Sequence, residues 1–349
     1  MFAARDEAGV IEVAARTMLR LDYPDLGVIA VDDRSSDETG AILDLLAAED
    51  SKLRAVHVNL LPDGWLGKTH ALQRGLEYSR ADWVLLTDAD IRFEPTALRR
   101  AVSFAVREGV DHVAVAPVVE TKSAGERLFL AAFQMGIIMY VPGWQVEEPG
   151  RRAAVGVGAF NLVKRESLLA IGGFERLSLS VDEDLQLGRT LKWSGRAARL
   201  LMGEGMVSVR WHEGVWGLIR GLEKNLFAVA GFRVSRVVVF VLGAYLTGVA
   251  PFVGLWVGPL WTRAVCAVGY FVSVFMVDQV GRQCGVRWYH ALFLPVSAAL
   301  NVFALLRSMW LTLARGGVVW RGHLYPLAQL RSHVKARRAW LRALWSSTR

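Results

Sequence analysis

The sequence predicts an α/β domain followed by membrane helices, and three observations carry the prediction. Up to about residue 230, strand-like and helix-like runs alternate among many charges. Two of the strand-like runs, "LGVIAVDD" and "DWVLLTDAD", end in carboxylates, as expected where the carboxyl ends of sheet strands face a ligand crevice. Beyond Arg236 the text changes: residues 237–277 carry a single charge, Arg263. The whole chain is 53% hydrophobic with a mean hydropathy of +0.30, high for a wholly soluble protein of 349 residues.

The first acidic strand is followed by "RSSDETGAILDLL", a turn rich in Ser and Asp and then a helix starting near Asp37 or Glu38. It leaves Asp32 and Asp33 at the strand end. Next, "LPDGWLGKTHALQRGL" sets Gly64, Gly67 and Lys68 at a helix entrance, where free backbone donors and a cation suit a phosphate. The second acidic strand ends in Asp88-Ala-Asp90. Residues i and i+2 of a strand share a face, so both carboxylates can aim at one ion. Like charges this close raise each other's pKa unless a cation neutralises them, and hard divalent ions take oxygen ligands, which points to Mg²⁺ or Mn²⁺. Short Asp pairs also occur in ordinary turns. Further on, "VGVGAFNLVKRESLLAIGGF" reads as a Gly-punctuated strand and a helix, and "SVDEDLQLGRTLKW" opens another helix with Asp182, Glu183 and Asp184. The helix dipole accounts for one or two acids in a first turn better than for three.

In the apolar region, residues 237–257 and 258–277 read as a helical hairpin, and 291–314, with Arg307 inside it, as a tilted span or a helix buried against its neighbours. The run "LFLAAFQMGIIMYVPGW" is short for a span and is expected to be a buried or membrane-lying helix. Three full spans would put the basic tail on the side opposite the α/β domain, so one segment is expected to be re-entrant or interfacial. From Arg315 to Arg349 there are eight Lys and Arg and no acid, which accounts for the net charge of +8. With Trp320, Trp340 and Trp345 interleaved, this tail is expected at an anionic membrane surface and not on nucleic acid. The two cysteines, Cys266 and Cys284, imply no disulfide framework. The expected division is 1–232, 233–314 and 315–349.

"VDDRSSDET", "TDAD", "GAFNLVKRESLLAIGGF" and "DEDLQLG", in this order, resemble the inverting family-2 glycosyltransferases of the GT-A fold over roughly residues 3–230. "GWLGKTHAL" and "WRGHLYPL" are most similar to the membrane-bound subgroup of ceramide glucosyltransferases and bacterial hopanoid-associated or carotenoid glycosyltransferases. The resemblance implies a nucleotide-sugar-binding GT-A domain with a Rossmann-like mixed sheet, at the cytoplasmic face of a multi-pass cell (inner) membrane protein. It implies donor contacts from Asp32, Asp33, Lys68 and Asp88, and metal contact from Asp90 with Asp88. The Glu-Asp pair falls on Glu183 and Asp184, with Asp184 the expected general base, and Gly158 and Ala159 would line the acceptor mouth. The expected reaction moves a sugar from a nucleotide-sugar, such as a UDP-sugar, to a lipid hydroxyl. Transfer to polyprenyl phosphate and a catalytically silent scaffold are the alternatives.

The family's first strand resembles "VSVIIPARNE", preceded in this subgroup by a membrane helix, whereas this chain begins at "MFAARDEAGVI". The strand is therefore expected to be missing or truncated, with further residues upstream. The subgroup's Gln/Arg-x-x-Arg-Trp element also has no counterpart in "GVWGLIRGLEKNLF". There Arg220 and Lys224, at i and i+4, could serve the diphosphate or sit at the membrane interface.

Overall fold

The computed structural model describes residues 1–347 and divides the chain into two compact units. The first holds Met1–Val118, Pro142–Val209 and Ser332–Arg349; the second holds Val119–Val141 and Arg210–Arg331.

The first unit is built on strands β1 (Phe2–Ala4), β2 (Val28–Asp33), β3 (Leu53–Val58), β4 (Trp83–Asp88), β5 (Ile91–Phe93), β6 (His112–Ala116), β7 (Val118–Val119), β8 (Asn161–Lys164), β9 (Ala198–Met202) and β10 (Val207–Val209). Seven form one sheet in the order β3-β2-β1-β4-β8-β6-β9. Its β1–β4 half is parallel, and β8 enters antiparallel between β4 and β6. The sheet is therefore mixed, and its central strands read as near-continuous apolar runs because both faces are covered. Helices α1 (Ile11–Leu19), α2 (Thr39–Glu49), α3 (Gly67–Tyr78), α4 (Ala97–Glu108), α6 (Arg165–Ala170) and α7 (Glu183–Trp193) accompany the sheet. One core cluster joins Leu72 and Leu76 of α3, Val84 and Leu86 of β4, Val163 of β8, and Leu187 and Leu191 of α7.

The first strand, expected to be missing or truncated, comprises three residues here: Phe2–Ala4 pairs with β2 on one side and β4 on the other, and Phe2 is fully buried. The basic tail is not all surface. Residues 332–347 belong to the first unit, where Leu341, Trp345 and Arg337 are buried, Trp345 meets Trp193, and Arg337 donates to Ser180 Oγ. The reason is a helical stripe, Val334, Leu341 and Trp345, which buries one face of α15 (Leu327–Ser347) and leaves most of its charges on the other.

The second unit begins with α5 (Ala124–Tyr140), whose Ser123 and Glu126 form a capping box. Buried Glu126 also takes both Arg210 Nη atoms, at 2.7 and 2.8 Å, and the Gly214 N–H at 2.7 Å. Then follow α8 (Gly214–Leu222), α9 (Leu226–Val229), α10 (Val234–Ala244), a π-helical segment Tyr245–Val249, α11 (Ala250–Gly254), α12 (Leu260–Gly281), α13 (Trp288–Ala291), α14 (Leu294–Ala314) and the hairpin β11 (Gly317–Trp320) with β12 (His323–Pro326). Among the described residues, four stretches are long and apolar enough to cross a membrane: Ala124–Gln145, Val234–Gly254, Leu260–Gly281 and Leu294–Ala314. The first exceeds what the sequence suggested, because the capping box starts its helix four residues before the apolar run. Arg307 is held by Glu223 at 2.7 Å and lies over Trp216, so α14 is the helix packed against its neighbours.

Candidate functional site

The sheet register gathers the acids. Ala4 of β1 sits beside Asp32 and Ala3 beside Asp88, so the acidic ends of β2 and β4 flank the short central strand. Asp33 is buried, accepts from Arg34 Nε at 2.9 Å, and lies so close to the first residue of α3 that a Cβ on Gly67 would stand 2.0 Å from its Oδ2. Asp32 accepts from the Ser35 N–H and contacts His57 Nδ1, both at 3.1 Å. Arg34, which sequence reasoning passed over, holds a left-handed backbone with φ 59°. A non-glycine residue there is strained, and such strain concentrates at functional loops.

Lys68, one residue into α3, reaches across to the other side of the crevice. Its ammonium contacts Asp88 Oδ1 and lies 2.6 Å from Glu183 Oε1. Burial alone pulls its pKa down, but Asp88, Glu183 and Asp184 outweigh that and hold it well above the usual lysine range. Lys68 is therefore a permanent cation among three carboxylates.

Asp184 sits at the N-terminal turn of α7. Its Oδ2 accepts from the Gly158 N–H at 2.8 Å and its Oδ1 from the Leu185 N–H at 2.7 Å. Burial, then repulsion from Glu183, lifts its pKa to about 7 in spite of Lys68 and these donors. A carboxylate poised there takes a proton far better than an ordinary aspartate. Gly158 lies between the two acidic groups: a Cβ on it would meet Asp88 Oδ2 at 2.7 Å and Asp184 Oδ2 at 3.3 Å. Its neighbour Ala159 is buried, and its carbonyl accepts from Thr87 Oγ1 at 2.8 Å.

The segment before Gly158 packs directly on α7. A Cβ on Gly188 would stand 1.6 Å from the Val155 carbonyl oxygen, and one on Gly156 would stand 1.8 Å from the Asp184 carbonyl oxygen. Both obstacles are backbone, so a methyl group there must displace α7 from the loop. Gly188→Ala is expected to lower the thermal unfolding midpoint and cut turnover at least tenfold, while the helix itself tolerates alanine. An unchanged midpoint and rate would show that the loop yields.

Asp90 stands apart from Lys68's direct contacts. Burial first, then Asp88 and Glu7, push its carboxyl up to about 6. This is the signature of an acid short of positive charge. Asp88 and Asp90 make two carboxylates, and among the described residues no group of three His, Cys, Asp or Glu is arranged as a complete metal cage. Such a set fits an ion bound by one or two carboxylates, with substrate phosphates and water completing the shell. Arg220 and Lys224 lie in the second unit, over the rings of Trp216 and Trp320.

Residues 3–168 match the model for glycosyl transferase family 2. Over this segment the chain is similar to the family-2 glycosyltransferases. The segment contains Asp32, Asp33, Lys68, Asp88, Asp90 and Gly158, while Glu183 and Asp184 follow it in the same compact unit. The chain is 29% identical over 189 residues to a beta-monoglucosyldiacylglycerol synthase of Synechocystis sp., covering 54% of this chain and 39% of that protein. It is 21% identical over 230 residues to a 4,4'-diaponeurosporenoate glycosyltransferase of Staphylococcus haemolyticus, covering 65% and 60%. The chain thus spans about two fifths of the length of the synthase it matches. Among solved structures, the mannosyltransferase PcManGT from Pyrobaculum calidifontis, in complex with GDP-Man and Mn²⁺, superposes with a TM-score of 0.52 at 18% identity, over 88% of this chain and 85% of that one. The segment that matches family 2 therefore sits in a GT-A fold with a mixed α/β sheet, as its sequence motifs led one to expect.

Proposed function

We propose that this chain is an inverting glycosyltransferase that moves a sugar from a nucleotide-sugar, such as a UDP-sugar, to the hydroxyl of a membrane lipid. The observation that carries the reading is Asp184: a carboxylate with a pKa of about 7, fixed by two backbone N–H groups and facing the Lys68–Asp88 pair across Gly158. Similarity to a glucosyldiacylglycerol synthase and a carotenoid-acid glycosyltransferase supports an apolar acceptor, and the four apolar helices support a membrane location. The cluster of Asp88, Glu183 and Asp184 about Lys68 favours turnover over a silent scaffold.

In this mechanism Asp33, Asp32 and Arg34 face the nucleoside, and the N-terminal turn of α3 with Lys68 faces the diphosphate. Asp90 with Asp88 would hold Mg²⁺ or Mn²⁺, which when bound offsets charge on the leaving nucleoside diphosphate. Glu183 is taken up by Lys68 and holds that cation in place, which leaves Asp184 free to work. The acceptor hydroxyl enters at Gly158 and gives its proton to an Asp184 oxygen as its own oxygen bonds to the sugar C1. The C1–O bond to the diphosphate breaks on the opposite face, so the anomeric configuration inverts. Arg220 and Lys224, each over a tryptophan ring, are assigned to the headgroup layer.

The test is turnover of the purified chain in lipid vesicles with a panel of UDP- and GDP-sugars and with diacylglycerol, hydroxylated or carboxylated carotenoid, ceramide and polyprenyl phosphate as acceptors. Release of nucleoside diphosphate coupled to a new glycolipid is expected. Donor binding without turnover on any acceptor would leave only a binding scaffold, and preference for polyprenyl phosphate would replace the hydroxyl acceptor.

A further inference from the structure

The two units are threaded through one another in sequence, and that threading limits how the apolar helices can meet a bilayer. A compact unit lies on one side of a membrane, so any stretch of chain that leaves it and rejoins it crosses an even number of times. The chain leaves the first unit after Val118 and rejoins it at Pro142, with one long helix, α5, between. One helix with both ends on one side does not cross. The chain leaves again after Val209 and rejoins at Ser332, with three long apolar stretches between. At least one of these does not cross either.

We propose that α5 and α14 lie within a single leaflet without crossing, and that Val234–Gly254 and Leu260–Gly281 alone cross the bilayer, as one hairpin. Three independent observations single out α14. It is bound side by side to α5 through Asn301 Nδ2, which donates to the Phe129 carbonyl at 2.9 Å, and to α8 and α9 through Arg307–Glu223, at 2.7 Å, and Ser308. It carries the polar load, with Ser297, Ser308 and Thr312 buried and Arg307 charged. It is also the most covered of the three: 33% of its most apolar window is buried, against 11% for Val234–Gly254 and 17% for Leu260–Gly281. The exposed sides of α5 and α14 are apolar, with Ile137, Met139, Phe303, Leu306 and Trp310, as suits a helix lying at the boundary between headgroups and acyl chains.

The remaining pair has the length and charge of a crossing hairpin. At about 1.5 Å per residue, its 21- and 22-residue stretches each match an acyl core of about 30 Å. Arg233, Arg236, Arg282 and Arg287 flank its open end, whereas the turn between the helices carries Arg263 alone with exposed Trp256 and Trp261. The charge bias puts the open end on the cytoplasmic side and the tryptophans in the far interface. This inference rests on the membrane reading of the helices and not on the sugar-transfer chemistry.

The experiment uses the full chain in sealed membrane vesicles of both orientations. Cys266→Ser and Cys284→Ala supply a background into which Asp63→Cys, Trp256→Cys, His323→Cys and Ala343→Cys are placed singly and treated with a membrane-impermeant maleimide. Asp63, His323 and Ala343 positions are expected to react from one face and the Trp256 position from the other. Reaction of the His323 or Ala343 position from the face opposite Asp63 overturns the even count, and reaction of all four from one face overturns the crossing hairpin. Because Cys284 is buried and accepts from Gln134, trypsin on vesicles holding the native chain repeats the test without substitutions. Cleavage after Arg107 and Arg321 in the same vesicle orientation is expected, and cleavage of the two in opposite orientations refutes the topology.

Discussion

Asp184→Asn is expected to lower turnover by roughly 10² to 10⁴, the scale of a lost general base, while donor affinity stays within about twofold. The amide keeps the shape of the side chain, but its single oxygen can accept from only one of the Gly158 and Leu185 N–H groups, which bond to different oxygens of the carboxylate. The electrostatics add a second readout. The folded pKa of about 7 lies above the ordinary value of 3.8, so the native state binds the extra proton between these values. Its contribution to stability is therefore full below about pH 4 and is lost as pH rises toward 7. Removing the titrating group should flatten the fall of heat stability between about pH 4 and pH 8, though the variant is nearly inactive. The parent's kcat/KM should correspondingly rise through an acid limb near pH 7. A variant that loses turnover but keeps the parent's pH dependence of stability would place Asp184 in a purely structural role.

Asp90→Asn is the second large effect. If Asp90 and Asp88 hold the divalent ion, the substitution should abolish transfer and remove the Mg²⁺ or Mn²⁺ dependence of donor binding. Its carboxyl is pushed up to about 6 by burial and by Asp88 and Glu7, so an uncharged amide should not destabilise the unit at neutral pH. Calorimetric titration of donor with and without the ion reads the effect directly. Full activity of the parent in EDTA, or metal-dependent donor binding by the variant equal to the parent's, would remove the ion from the account.

Asp32, Asp33 and Asp88 stood out in the sequence because each closes an apolar run, and Glu183 and Asp184 because three acids crowd one helix start. Their assembly did not. That Lys68 lies between Asp88 and Glu183 depends on α3 and α7 packing together through Leu72, Leu76, Leu187 and Leu191, and pair distances across a core leave no trace in spacing. The two glycines that let α7 approach the Val155–Gly158 segment looked like ordinary loop and helix glycines for the same reason. Thr87, which fixes the Ala159 carbonyl, was hidden as one more strand residue. In the tail, Arg and Trp composition drew attention to the surface, while the stripe Val334, Leu341 and Trp345 marks the face that is buried. The three residues of the first strand fall below the usual length for recognising a strand, and only the structure shows the two ladders that flank it.

The central claim is that one base, Asp184, drives a direct displacement at the sugar C1. Proton NMR of the glycolipid formed from an α-linked UDP-sugar tests it most directly, through the coupling constant of the anomeric proton in the first product to appear. A β-linked product is expected from the parent, formed far more slowly by Asp184→Asn. An α-linked product would require two displacements or a different attacking geometry, and would contradict the account.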